Sequence, residues 1–181
     1  MTFERLEKNI CDNIYEAQLK LGYDERSMSL NYTCSSLCHL IGKSLSADEL
    51  TETLEKFADE EAEKLGKLSF HSIKTGFCIT ISAEGTAFVH SQSSEHTFMA
   101  KLVEAVKSQA DTEKVLAVFK EASESTSITE LNNEEFRYLV FFPDKKPDEY
   151  YYCISEDEEI DGNIHTSYHR FIREDYEELG F

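Results

Sequence analysis

His165 and His169 stand four residues apart near the end of the chain. Two imidazoles on one face of a helix could grip a divalent metal, and positions four apart share a face in a strand as well. The glutamate that would follow the first histidine of a metalloprotease motif is replaced by Thr166. A third ligand would have to come from a distant carboxylate or from His39, since His71, His90 and His96 belong to the region of the first expected strands. Cys34-Ser35-Ser36-Leu37-Cys38-His39 is the nearest approach to a reactive thiol motif. On a helix its two thiols are i, i+4 neighbours, and a nearby imidazole lowers a thiol pKa. The spacing is not the usual two-residue ligand gap, and free cysteine is among the most buried residue types, so core packing is the plainer reading.

Two further stretches carry weaker chemistry. The run from Asp157 to Ile164 imitates a calcium loop, with acids at its first, third and fifth positions and Gly162 at the sixth. The twelfth position should be a bidentate glutamate and is Tyr168, so the run reads as a solvated turn. Tyr150, Tyr151 and Tyr152 are consecutive, and in a strand the middle ring must face away from its neighbours. A sheet face lined by Tyr150, Tyr152 and Tyr168, with Glu156 and Asp157 beside it, offers aromatic contact area and negative charge to a peptide. From Asp144 onward twelve acidic residues stand against four basic ones.

The elements that must position these groups follow from periodicity. Apolar residues at Phe3, Leu6, Ile10, Ile14, Ala17 and Leu21 predict a helix over 2–21, with Thr2 as cap and Gly22 as stop. Leu30, Cys34, Leu37 and Ile41 predict a second helix ending at Gly42. Ser46 and Glu49 match a capping box for a third, bearing Leu50, Leu54, Phe57 and Leu65. The period then changes. Phe77, Ile79 and Ile81 alternate as a strand, Gly85 suits a turn, and 86–90 reads as the returning strand, with 68–73 a candidate third. Two helices follow, one striped by Phe98, Leu102, Ala105 and Val106, the other capped by Asp111 and bearing Val115, Val118 and Phe119.

Phe136 to Phe142 is the densest apolar run of the chain. It reads as a strand covered on both faces and stopped by Pro143. Residues 150–154 read as its hairpin partner, 163–168 as a last strand and 171–179 as a terminal helix. The expected fold class is α+β: N-terminal helices, then an antiparallel sheet of about five or six strands with helices packed on it. The expected organisation is one domain, 1–181, with a helical part over 1–66 and a sheet part over 67–181.

Composition bounds the function. The chain has 181 residues, 36 acidic against 18 basic, and a formal charge of −18. Such a field repels phosphate backbones, so nucleic acid and anionic membranes are excluded as partners. No apolar run approaches the length of a bilayer span, and the charged N-terminus does not resemble a signal peptide, so a cytoplasmic protein is expected. Five scattered cysteines read as reduced thiols. No phosphate loop, nucleophile elbow or dinucleotide turn occurs, and no cofactor is expected.

The ending His169-Arg170-Phe171-Ile172-Arg173-Glu174-Asp175-Tyr176-Glu177-Glu178-Leu179-Gly180-Phe181, together with the opening through Leu40, resembles an uncharacterised bacterial family of unknown function. That resemblance implies no activity and transfers no site. In element order the chain is also similar to sensor domains built on a PAS- or GAF-like sheet and to small acidic secretion chaperones, from both of which the three N-terminal helices depart. Two readings follow. One is a non-enzymatic binding protein that offers Tyr150, Tyr152, Glu156, Asp157 and Tyr168 to a basic or mixed peptide or protein partner, or to a second copy of itself. The other is a metal-dependent hydrolase or a metal or small-molecule sensor using His165 and His169.

Overall fold

A computed structural model describes residues 3–94, 96–158 and 164–180, without the side chains of residues 157, 158 and 164. The chain divides into two compact units, Met1–Ser94 and Glu95–Phe181.

The N-terminal unit contains α1 (Glu4–Leu21), β1 (Met28–Thr33), α2 (Cys34–Ile41), α3 (Ala47–Glu60), α4 (Ala62–Leu65), β2 (Leu68–Ile73), β3 (Gly76–Ile81) and α5 (Ala83–Gln92). Its sheet has the order β1-β3-β2 and is antiparallel throughout. Tyr32, Phe77, Ile79, Ile81 and Leu68 point to the buried face. The Tyr32 hydroxyl there donates to Asn9 Oδ1 on α1 at 2.9 Å. Ser29, Asn31, Ser69 and His71 share the other face and are exposed. The predicted capping box is present: Glu49 N donates to Ser46 Oγ and Ser46 N to Glu49 Oε2.

Two expectations are corrected in this unit. Residues 28–33 form a strand where the spacing of Leu30 and Cys34 predicts helix. Met28, Leu30 and Tyr32 alternate with exposed Ser29, Asn31 and Thr33, and Thr33 ends the strand by capping α2, its Oγ1 accepting from Ser36 N at 3.0 Å. The helical part over 1–66 thus contains a strand. Residues 86–90 are helix, not a returning strand, because Ser82 caps α5 by accepting from Gly85 N at 3.3 Å. The strand β3 takes its partners from β1 and β2 instead.

The C-terminal unit contains α6 (Phe98–Lys107), α7 (Thr112–Ala122), β4 (Ser127–Glu130), β5 (Tyr138–Phe141), β6 (Tyr151–Glu158), β7 (Ile164–Phe171) and α8 (Arg173–Leu179). Its strands form an antiparallel meander in the order β4-β5-β6-β7. The apolar run around β5 is interior, as its composition predicts, with Val140 and Phe142 fully or nearly buried. One face lies under α6 and α7. There Tyr152 meets Phe119 at 5.0 Å and Phe98 at 5.8 Å, and Phe142 meets Phe98 at 5.2 Å. The opposite face carries a second, smaller core of Phe136, Leu139 and Cys153, closed by Tyr176 of α8.

The architecture is α+β, with eight helices among the described residues, but not one sheet of five or six strands: the strands divide into sheets of three and four. No helix among the described residues is long and apolar enough to cross a membrane.

Candidate functional site

The register of β6 and β7 decides where the expected site residues go. Tyr152 pairs with Arg170, Ile154 with Tyr168 and Glu156 with Thr166, so these residues share the face that α6 and α7 cover. Tyr150, Tyr152 and Tyr168 are only 4%, 0% and 6% exposed. Their phenols do not line a rim. The Tyr152 hydroxyl donates to Asp148 Oδ2 at 2.6 Å, and the Tyr168 hydroxyl points at Met99 Sδ at 3.6 Å. The Tyr150 ring lies under the Arg170 guanidinium at 4.3 Å. These contacts satisfy the polar tips of buried aromatic rings, which is a structural role. Glu156 is half-buried and holds Arg137, which also reaches Glu130 at 3.8 Å. Asp157 pairs with His165 in the backbone register, and its side chain lies outside the described residues, as does the calcium-like stretch.

His165 and His169 share the other face of β7, as their spacing requires. Sharing a face is not enough to share a metal. Four residues of extended strand separate the two Cα atoms by about 13 Å, and side chains stand nearly perpendicular to the sheet. Neither belongs to a group of three converging ligand side chains among the described residues. His169 instead lies among aromatic rings, 5.4 Å from Phe136 and 6.4 Å from Phe171. His90 stacks on Tyr23 at 3.8 Å, and Cys38 Sγ lies 3.4 Å from Leu45 N. The Cys38 thiol is thus tied into local structure, Cys34 is half-buried, and neither belongs to a group of three converging ligand side chains among the described residues.

What the face does bring together is a set of rings that spacing alone did not select. Phe141 and Tyr151 stack at 4.7 Å, Tyr151 meets Tyr176 at 5.2 Å, and Phe171 meets Phe136 at 6.4 Å. Phe141, Tyr151 and Phe171 are half-buried and His169 is exposed. Beside them α8 presents Glu174, Asp175, Glu177 and Glu178 against one base, Arg173, which pairs with Glu177 at 2.7 Å.

Cys153 lies at the floor of this face with no exposure, and burial, then the charge of Glu135, pushes its thiol up to about 12. Burial, then Cys153 and Tyr151, also raises the Tyr176 phenol. A thiol held this far above the ordinary 9.0 is not a nucleophile near neutrality. The native state keeps a proton that the unfolded state releases above about pH 9. Its contribution to stability is whole below that pH and falls away as pH climbs to about 12. Iodoacetamide applied to the native chain near pH 8 is expected to leave Cys153 unmodified and to label it after denaturation. Labelling of Cys153 in the native state, read by peptide mass spectrometry, would contradict the buried placement.

Compared with the curated proteins and with the solved structures, the chain finds no match. One family profile matches residues 3–180, nearly the whole length. The chain belongs to the family described as a domain of unknown function, E. rectale gene description (DUF3877).

Proposed function

We propose that the chain is a non-enzymatic, cytoplasmic docking protein whose C-terminal unit takes a basic peptide segment of a partner protein on the outward face of β5, β6 and β7. The observation that carries this reading is the set of half-covered rings of Phe141, Tyr151 and Phe171, with exposed His169 among them, beside an acidic helix. Half-buried aromatic rings supply contact area at low entropic cost, and the acids of α8 select the sign of the partner. The whole chain carries −18, so encounter with a basic segment is accelerated and encounter with an acidic one is slowed.

Synthetic peptides alike except for lysine, glutamine or glutamate around a central phenylalanine test this reading by stopped-flow fluorescence anisotropy. The lysine peptide is expected to bind, with an association rate that falls about tenfold between low and high salt, because the Debye length shrinks from about 30 Å at 0.01 M to 3 Å at 1 M. Charge reversal at Glu177→Lys and Glu178→Lys is expected to slow association further. Equal binding of the three peptides, or an on-rate indifferent to salt, would remove the reading. Self-association of the chain without peptide would replace the partner with a second copy.

A further inference from the structure

We infer that the C-terminal unit holds a second site, a small apolar pocket with a cationic lip that takes a compact amphipathic anion, a carboxylate on an aromatic ring or short alkyl chain. The pocket has a volume of about 230 Å3 and is lined by His96, Phe98 and Lys101 at the start of α6, Val118 and Ala122 of α7, and Pro147 of the loop between β5 and β6. It is separate from the ring set proposed for docking, because α6 and α7 cover the opposite face of the sheet.

The floor is apolar and backed by packed core. The Phe98 ring meets Phe119 at 5.1 Å, Phe142 at 5.2 Å and Tyr152 at 5.8 Å, so it is fixed in place. Val118, Ala122 and Pro147 add no polar side-chain atom. The lip is the reverse of the chain's general charge. Lys101 is exposed and has no ion-pair partner among the described residues, and His96 is exposed beside it. The three acids of the adjoining loop each have partners: Asp144 accepts from Lys146 N at 3.2 Å and from the Ser123 hydroxyl at 3.5 Å, Asp148 accepts from the Tyr152 hydroxyl and from Tyr150 N, and Glu149 pairs with Lys145 at 3.5 Å. The repulsion of the whole chain for anions is screened beyond about 8 Å at physiological salt, so the nearby ammonium governs the last step of approach.

Pockets for drug-sized ligands run from about 300 to 1,000 Å3, so this one takes something smaller, of the order of a substituted benzene ring. Such a ligand places its ring against Phe98 and Val118 and its carboxylate at Lys101. An amine of the same shape meets like charge at the lip, and the alcohol lacks the ion pair.

The test uses the full chain and three probes of one shape: benzoate, benzyl alcohol and benzylamine. Each is titrated in physiological salt while backbone amide shifts are followed by nitrogen-15 NMR. Saturable shifts at Phe98, Lys101, Val118 and Ala122 are expected for benzoate in the millimolar range, weaker ones for the alcohol and none for the amine. Lys101→Gln is expected to weaken benzoate about fivefold and leave the alcohol unchanged, and Ala122→Phe is expected to abolish binding of both by filling the pocket. Both positions lie at the surface or half-buried, and the dispersion of the same spectra reports that the variants are folded. Absence of saturable shifts, shifts at other residues, equal binding of the amine, or indifference to Lys101→Gln would each overturn the inference.

Discussion

Gly85→Ala is expected to destabilise the chain by about 3 kcal/mol, although alanine is the better helix former by about 1 kcal/mol. Gly85 sits in the first turn of α5, where an alanine would ordinarily be welcome. A Cβ built there would lie 2.1 Å from the Leu65 carbonyl oxygen and 2.6 Å from Ile81 Cγ2. The first of these atoms is backbone, at the end of α4, and has no rotamer with which to move away. The helix must therefore shift off α4, taking with it Thr86, whose hydroxyl donates to the Arg26 carbonyl at 2.8 Å, and buried Val89. Glycine is required here by close approach, not by a left-handed backbone. Urea unfolding followed by circular dichroism measures the effect. An unchanged or raised midpoint would show that α5 does not rest on α4 as described.

Phe119→Ala is expected to cost about 4 kcal/mol, within the range for deleting a buried aromatic side chain. Phe119 is wholly buried, with Phe98, Tyr152 and Phe142 around it at 5.1, 5.0 and 6.1 Å. Removing its ring opens a void at the point where α7 meets the sheet, and none of these neighbours can fill it without leaving its own packing. Phe141→Ala on the opposite face is the matched control. That ring is half-buried, so its loss is expected to cost about half as much, because less apolar area returns to water. Amide exchange of β5 and β6 measures both. Equal losses at the two positions would contradict the division of the sheet into a dry face and a half-covered one.

Much of this fold is legible in the residues. The amphipathic helices declare themselves through caps as well as stripes: Ser46 with Glu49, and Asp111, whose carboxylate accepts from Lys114 N at 2.9 Å. The interior strand at β5 follows from an unbroken apolar run. What failed did so for identifiable reasons. Leu30 satisfies a helical step to Cys34 and also an alternating step to Tyr32, and only the tertiary pairing with Ile79 settles which period rules. The buried side of α5 is made of Gly85, Thr86 and Val89, so it shows no apolar stripe, while its Phe-Val-His run looks strand-like. With β1 masked by a helical step and α5 by a strand-like run, two sheets resemble one in the sequence.

The candidate site was legible in composition but not in facing. The alternation rule separates Tyr151 from Tyr150 and Tyr152, yet it does not state which side the helices cover. The rings of Tyr152 and Tyr168 proved to be interior, and the half-covered set contains Phe141 and Phe171, which spacing gave no reason to choose. The histidine pair illustrates the same limit. Four residues span one helical turn or about 13 Å of strand, and only the first distance suits a shared metal.

The two sheets differ in how far apart their partners lie along the chain. Every strand of the C-terminal meander bonds to its neighbour in sequence, so the sheet can zip up by successive short closures. The central strand of the N-terminal sheet must find β1 across about fifty residues and three helices before its first bond on that side forms. Loop-closure entropy grows only with the logarithm of length, so this separation adds little to the equilibrium cost and acts on the speed of assembly. The late-translated half of the chain is thus built to organise quickly, and the half that leaves the ribosome first must wait for its own middle.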